Sequence, residues 1–201
     1  MTNTRRVPVQ SRSREKYDQI LESARELIGK KGNDSVSMRE ISKHSGVALA
    51  SIYQYFPDKN AILQSIMESF FGQVRNTIEE SLSDCNDIDE LVVKIQQGID
   101  VFYMMFKKDP VLAILWAGLQ ANPDLVELDA QDSMQNAEII SRRVCSIIGD
   151  DNHVKVYDST LLIVHMIGST IRLALTLSED EGNRLIQEFK ELVMLRLISL
   201  K

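Results

Sequence analysis

Three histidines, His44, His153 and His165, and two cysteines, Cys85 and Cys145, are the residues best suited to nucleophilic or metal chemistry, and none stands near another. Isolated imidazoles and thiols make neither a zinc site nor a catalytic pair. The chain also lacks a glycine-rich phosphate loop, an H-E-x-x-H pair and a G-x-S-x-G elbow. No catalytic residue, metal ligand or cofactor is therefore assigned, and the chain is not expected to be an enzyme. Leu49, Ala50, Ser51 and Gln54 stand together and carry side chains whose chemistry could match base edges. A glutamine carboxamide can bond an adenine edge bidentately, a serine hydroxyl can reach a base or a phosphate, and Leu49 or Ala50 can touch a thymine methyl.

Such side chains work only if a helix carries them into a groove about 12 Å wide, so the elements around them decide the matter. Tyr17, Ile20, Leu21, Ala24, Leu27 and Ile28 recur at helical spacing, and Lys30-Lys31-Gly32 ends that helix with cations and a terminal glycine. Ser37-Met38-Arg39-Glu40 is a capping box that starts a second helix. Gly46 cuts it short with a tight turn, and a third helix over roughly residues 48–56 must follow. Pro57-Asp58 breaks the third helix, and Asp58 caps a long fourth one bearing Leu63, Ile66, Met67, Phe70, Val74 and Ile78.

Charge divides along the same line. Up to residue 60 the chain has eleven Lys and Arg against seven Asp and Glu; after it, twelve against twenty-two, giving +4 and −10 within an overall −6. One end is thus suited to phosphate and the other to staying off it. Residues 1 to 13, with Arg5, Arg6 and Arg12 among polar residues, are expected to be a flexible basic arm.

The stretch SMREISKHSGVALASIYQYFPDKNAIL resembles the DNA-binding segment of the TetR family of bacterial regulators, the match running from about Arg14 to Leu63. The resemblance implies that Ile41, Val47, Ile52, Tyr53 and Phe56 pack three helices together, while Leu49 to Gln54 face the major groove. Ser37, Arg39, Tyr53, Tyr55 and Lys59 complete the expected DNA contacts. Ser37, Tyr53, Tyr55 and Lys59 are expected to act as phosphate clamps that set register without reading sequence. Tyr53 is expected to lie mostly in the core with its hydroxyl reaching out. The chain departs from the family pattern at Ala48, where a capping Ser or Thr is common, at Ala50 in place of Gly, and at Ser42 in place of a packing Ala.

The expected fold is all-α: a helix-turn-helix domain over residues 14–60, then a helical effector-binding and dimerisation domain over 61–201. Asp87 precedes an apolar helix to about Phe106, Asp109-Pro110 and Asn122-Pro123 each open another, and Ser178-x-x-Glu181 is a second capping box. The apolar run Leu161 to Leu177 is too short to span a bilayer and contains His165 and Arg172, so it reads as a buried helix. No secretory apolar stretch opens the sequence, and a cytoplasmic location is expected.

By analogy with the family, Val154–Leu177 and Asp180–Leu200 form a four-helix interface between two copies, with Leu185, Phe189, Leu192, Val193 and Leu200 on one apolar face and Gly168 and Ser169 admitting a close helix. An intramolecular core would produce the same stripes. Phe102, Met105, Phe106, Trp116, His165, Met166 and Arg172 form an apolar, deformable set suited to a small hydrophobic effector, though such spacing more often describes core. Arg172, in so apolar a helix, needs a carboxylate or an anionic group. The expected function is a homodimeric repressor of a near-palindromic operator, released by a small molecule. The alternatives are a helix-turn-helix module for protein partners and a ligand-independent or activating regulator.

Overall fold

The structure is a computed structural model that describes residues 11–119, 122–149 and 153–200. Every regular element among them is helical: α1 Ser11–Lys31, α2 Met38–Ser45, α3 Leu49–Tyr55, α4 Lys59–Leu82, α5 Ile88–Lys108, α6 Pro110–Leu119, α7 Pro123–Ile148, α8 His153–Ala174 and α9 Glu179–Ile198. The basic arm lies outside the described residues, except that α1 already begins at Ser11 instead of after residue 13.

The helix starts follow the capping chemistry of the sequence. Ser37 and Glu40, and Ser178 and Glu181, form reciprocal capping boxes. Asp87 accepts from the Glu90 amide, Asp58 from the Ala61 amide at 2.9 Å, and Asn122 from the Asp124 amide at 3.0 Å. Each satisfies a backbone N–H that the first helical turn leaves open.

Packing divides the chain into two units. One comprises Met1–Phe70 with Pro110–Leu125, the other Phe71–Asp109 with Val126–Lys201. The division falls within α4 instead of at residue 60, and α6 groups with the N-terminal helices. In the first unit α1 packs on α2 and α6, and α2 on α3. Its core includes the fully buried Ile20, Ala24, Ile28, Ile41, Ile52, Phe56 and Ile62. In the second unit α9 packs on α5 and α8. Lys190 bonds Asp100 at 2.6 Å, Lys107 bonds Glu179 at 2.6 Å, and Ile99, Tyr103, Phe106, Ile186, Phe189 and Val193 are buried.

The run Leu161–Leu177 is not buried as expected in the single chain. Only one side of α8 is covered, by Val156, Thr160, Gly168, Ile171 and Ala174, while Leu162, His165, Met166, Leu173 and Leu177 are exposed. The helix also stops at Ala174, before Leu177. No helix among the described residues is long and apolar enough to cross a membrane.

Candidate nucleic-acid interface

α2, the turn and α3 are held by a short series of bonds, each traceable to a residue type. Gly46 sits at φ 68°, a left-handed conformation that glycine adopts without the Cβ penalty. The Ser42 hydroxyl donates across the turn to the Val47 carbonyl at 2.7 Å, and the Val47 amide donates back to the Ser45 hydroxyl at 3.3 Å. Gln19 of α1 reaches the Ser45 carbonyl at 2.7 Å. Lys31 bonds Glu40 at 2.9 Å, and that contact, followed by the Ser37 hydroxyl and amide, draws the Glu40 carboxyl down to about 2. Gln19 and Ser42 escape sequence reasoning; the one signal for Ser42 is a hydroxyl where an apolar methyl is common.

α3 begins without a side-chain cap, as Ala48 requires. Ile52 and Phe56 are fully buried, and the Tyr17 ring lies on Phe56 with centroids 4.8 Å apart. The opposite face presents Ala50, Tyr53 and Gln54, which share one side at i, i+3 and i+4 and are all exposed. Leu49 and Ser51 are half-buried at its edges. Ile41 and Val47 pack inside as the resemblance implied. Tyr53 does not: it is 50% exposed, because it lies one residue past the inward-facing Ile52 and so points out of the helix.

The expected phosphate clamps occupy distinct environments. Ser37 is exposed, but its hydroxyl serves the capping box, and Arg39 is exposed beside it. Tyr55 is half-buried, its hydroxyl 2.7 Å from that of Ser13 and its ring edge-on to Tyr17. Lys59 donates to the Asn33 carbonyl at 2.7 Å, tying the start of α4 to the loop after α1. One of its three ammonium protons is thereby engaged.

The seven expected pocket residues occupy differing environments. Phe102 and Phe106 meet edge to face at 5.3 Å, and Met105 is half-buried beside them in sequence. Trp116 is buried in the first unit, the other six belonging to the second. His165 and Met166 stand exposed on α8, and Arg172 is half-buried, bonding Ser169 at 2.8 Å within its own helix. Met166 instead lines an open apolar groove of about 580 Å³ between α8 and α9, with Leu162, Phe189, Leu192 and Val193. Of the apolar face expected on α9, Phe189, Val193 and Leu200 are buried, but Leu192 is 60% exposed and joined by Leu195 at 61%.

A polar cluster that the sequence did not reveal lies in the second unit. Arg75 bonds Asp132 at 2.5 Å, and Asn136 bonds the other Asp132 oxygen at 2.8 Å. Burial pushes the Asp132 carboxyl up against the opposing pull of Arg75 and Asn136. Among the described residues no group of three or more His, Cys, Asp or Glu is placed to hold a metal ion.

Two family models match: "Bacterial regulatory proteins, tetR family" over residues 20–66, and "Tetracyclin repressor-like, C-terminal domain" over 88–200. The Bacillus subtilis fatty acid metabolism regulator protein is 36% identical over 102 residues, 51% of each chain. The HTH-type transcriptional regulator YvdT of the same species is 30% identical over 99 residues, 45% of this chain and 51% of its own. The chain thus spans about half the length of these relatives. Among solved structures, FadR from Bacillus subtilis in complex with stearoyl-CoA has a TM-score of 0.70 at 24% identity, covering 91% of this chain and 98% of that one. A Streptomyces coelicolor TetR-family regulator has a TM-score of 0.68 at 18% identity, over 90% and 94%. At these identities the likeness establishes the shared fold.

Proposed function

The chain belongs to the TetR family of bacterial transcriptional regulators, and from that premise we propose that it is a repressor that grips a near-palindromic operator as a homodimer and lets go when an apolar small molecule binds its C-terminal domain. The observation that carries the reading is the outward face of α3. Ala50, Tyr53 and Gln54 are presented together over the buried Ile52 and Phe56, on a helix whose approach is set by the Gly46 turn. Gln54 supplies the base-reading carboxamide, Ala50 and the flanking Leu49 and Ser51 the neighbouring contacts, and Ser37, Arg39, Tyr53, Tyr55 and Lys59 the backbone contacts.

The exposed sides of α8 and α9 support dimerisation. Leu162, Leu173, Leu192 and Leu195 are each more than half exposed, and a second copy would remove them from water. Two α3 helices related by a two-fold axis must then enter major grooves about 34–36 Å apart, which is why the operator should be near-palindromic. The long acyl chain of the stearoyl-CoA named for the similar FadR supports an effector with an apolar body here, held in the second unit around Phe102, Met105 and Phe106, in a cytoplasmic protein. Its binding shifts the equilibrium only through unequal affinity for the two states.

The test is footprinting and mobility shift on DNA flanking the gene and on a randomised DNA pool, with Lys59→Ala and Gln54→Ala beside the unaltered protein. A footprint over an inverted repeat, weakened on all sequences by Lys59→Ala and altered in base preference by Gln54→Ala, supports the repressor reading. Absence of any specific, salt-dependent affinity would refute it, because phosphate contacts impose a steep loss of affinity with salt.

A further inference from the structure

α4 is one continuous helix, Lys59–Leu82, but different elements hold its two halves. Its residues up to Phe70 belong to the first unit, where Lys59 donates to the Asn33 carbonyl at 2.7 Å. From Phe71 onward it belongs to the second unit, and there arginines tie it to α7 twice. Arg75 Nη2 donates to Asp132 at 2.5 Å, and Asn136 Nδ2 takes the other carboxylate oxygen at 2.8 Å; Asp132 and Asn136 are both buried. Just past the end of α4, Arg143 of α7 donates through Nη2 to the carbonyl of the buried Cys85. From Arg75 to Cys85 is ten residues and from Asp132 to Arg143 eleven, so the two ties resist sliding as well as separation. The first is a buried ion pair, which is costly to break because the partner left behind is an uncompensated charge.

Between the two sets of anchors stands Gly72. No close approach calls for glycine there: a Cβ at Gly72 meets nothing within 4 Å, whereas one at Gly29 or Gly182 would strike a neighbour at 2.6 Å. Glycine in a helix interior nevertheless weakens the local helix by roughly two- to fivefold relative to alanine. The weak point thus falls two residues into the second unit and three before the first arginine tie.

We propose that Gly72 is a hinge within α4, and that Arg75, Asp132 and Arg143 are positioning residues that make the part of α4 beyond it one body with α7. A displacement of α7 then reaches the head as a bend at Gly72, not as a swing of the whole of α4. The inference rests on the effector-regulated reading above and names the route by which the effector acts. Hinges are a few residues that absorb a change of φ and ψ while packed elements on either side stay rigid. Tyr55 ends α3 and Lys59 begins α4, so the direction of the first half of α4 sets the aim of the recognition helix. The continuous form of α4 is the one that holds DNA, because a fixed spacing of two heads needs a stiff connection.

The experiment is NMR of the full chain in a weakly aligning medium, where residual dipolar couplings of the N–H groups report the orientation of each half of α4. In the free, unaltered protein the couplings of residues 75–82 should fit the alignment of α7 and those of 60–70 the alignment of α2 and α3, the two being unequal. Gly72→Ala should draw them together, by making bent conformers roughly two- to fivefold rarer. Gly98→Ala, the same change in open space on α5, should leave them apart. Asp132→Asn combined with Arg143→Met removes both ties and should release residues 75–82 from the alignment of α7; the glycine variants stand without it should it fail to fold. Operator DNA defined by the footprint should also bring the two halves to one alignment. A single alignment for all of α4 in the free protein, halves still apart in Gly72→Ala or on operator DNA, an equal effect of Gly98→Ala, or residues 75–82 that still follow α7 in the folded double variant would overturn the inference. A footprint alongside any of these results leaves the regulator reading intact, whereas its absence refutes that reading whatever α4 does.

Discussion

Ser42→Ala is the sharpest test of how the recognition helix is aimed. The substitution removes one atom, the oxygen that donates to the Val47 carbonyl at 2.7 Å, from a residue that is half-buried in α2. The Val47 carbonyl has no helical use, because the Ser51 and Ile52 amides both turn to the carbonyl of Ala48. Val47 itself is 7% exposed, so water replaces the lost donor poorly. The expected loss is that of an unsatisfied buried acceptor, about 1–3 kcal/mol, or roughly 5- to 150-fold in a local opening equilibrium. Amide hydrogen exchange reads this directly at Ile52 and Phe56, whose N–H groups bond the carbonyls of Ala48 and Ile52 at 3.1 and 2.9 Å. Protection at both should fall by such a factor, while amides of α9 stay unchanged. Ser42→Thr keeps the hydroxyl and should retain most of the protection. Equal protection in Ser42→Ala and the unaltered protein, or equal damage from Thr and Ala, would refute the clamp.

Three further outcomes follow. Gly29→Ala places a methyl 2.6 Å from the Val111 side chain at the seam of α1 and α6, so it should destabilise the first unit by about 1–3 kcal/mol, measured by chemical denaturation; Gly72→Ala, with open space around it, is the control. Glu40 has a folded-state value of about 2 against an ordinary 4.5, so its contribution is complete above about pH 4.5 and is lost as pH falls towards 2. In acid titrations followed by circular dichroism, Glu40→Gln should flatten the stability of the head across that window. Leu192→Glu with Leu195→Glu places charge on the exposed face of α9 without touching buried Phe189 or Val193, and should give a monomer by sedimentation and abolish tight operator binding; a dimer that persists refutes the assigned interface.

Much of the N-terminal unit is legible in the sequence because its elements are closed by local chemistry. The Ser37–Glu40 capping box, the Gly46 turn and the Asp58 cap act within a few residues, where spacing is sufficient information. Tyr53 marks the limit of that reasoning. Its aromatic character suggests core, yet on a seven-residue helix with Ile52 fixed inward, the adjacent position is rotated by about 100° and must face out. The bonds from Gln19 to Ser45 and from Lys59 to Asn33 span 26 residues each, and no local pattern announces them.

The C-terminal helices show why periodicity cannot replace coordinates. Apolar residues recur on α8 and α9 on more than one side, and the sequence alone cannot say which side the chain covers for itself. The structure separates the two sides. Val156, Ile171, Ile186, Phe189 and Val193 are consumed by packing within the unit, and what remains, Leu162, Met166, Leu173, Leu192 and Leu195, is an apolar face still open to water. At about 25 cal/mol per Å² of apolar surface, the hydration of five such side chains is a cost that the proposed second copy would relieve, yet area alone does not set affinity. The polar cluster on α7 is hidden for the opposite reason. Asp132 and Asn136 look like the solvent face of an amphipathic helix, yet both are buried, and Arg75 of α4 bonds Asp132 there.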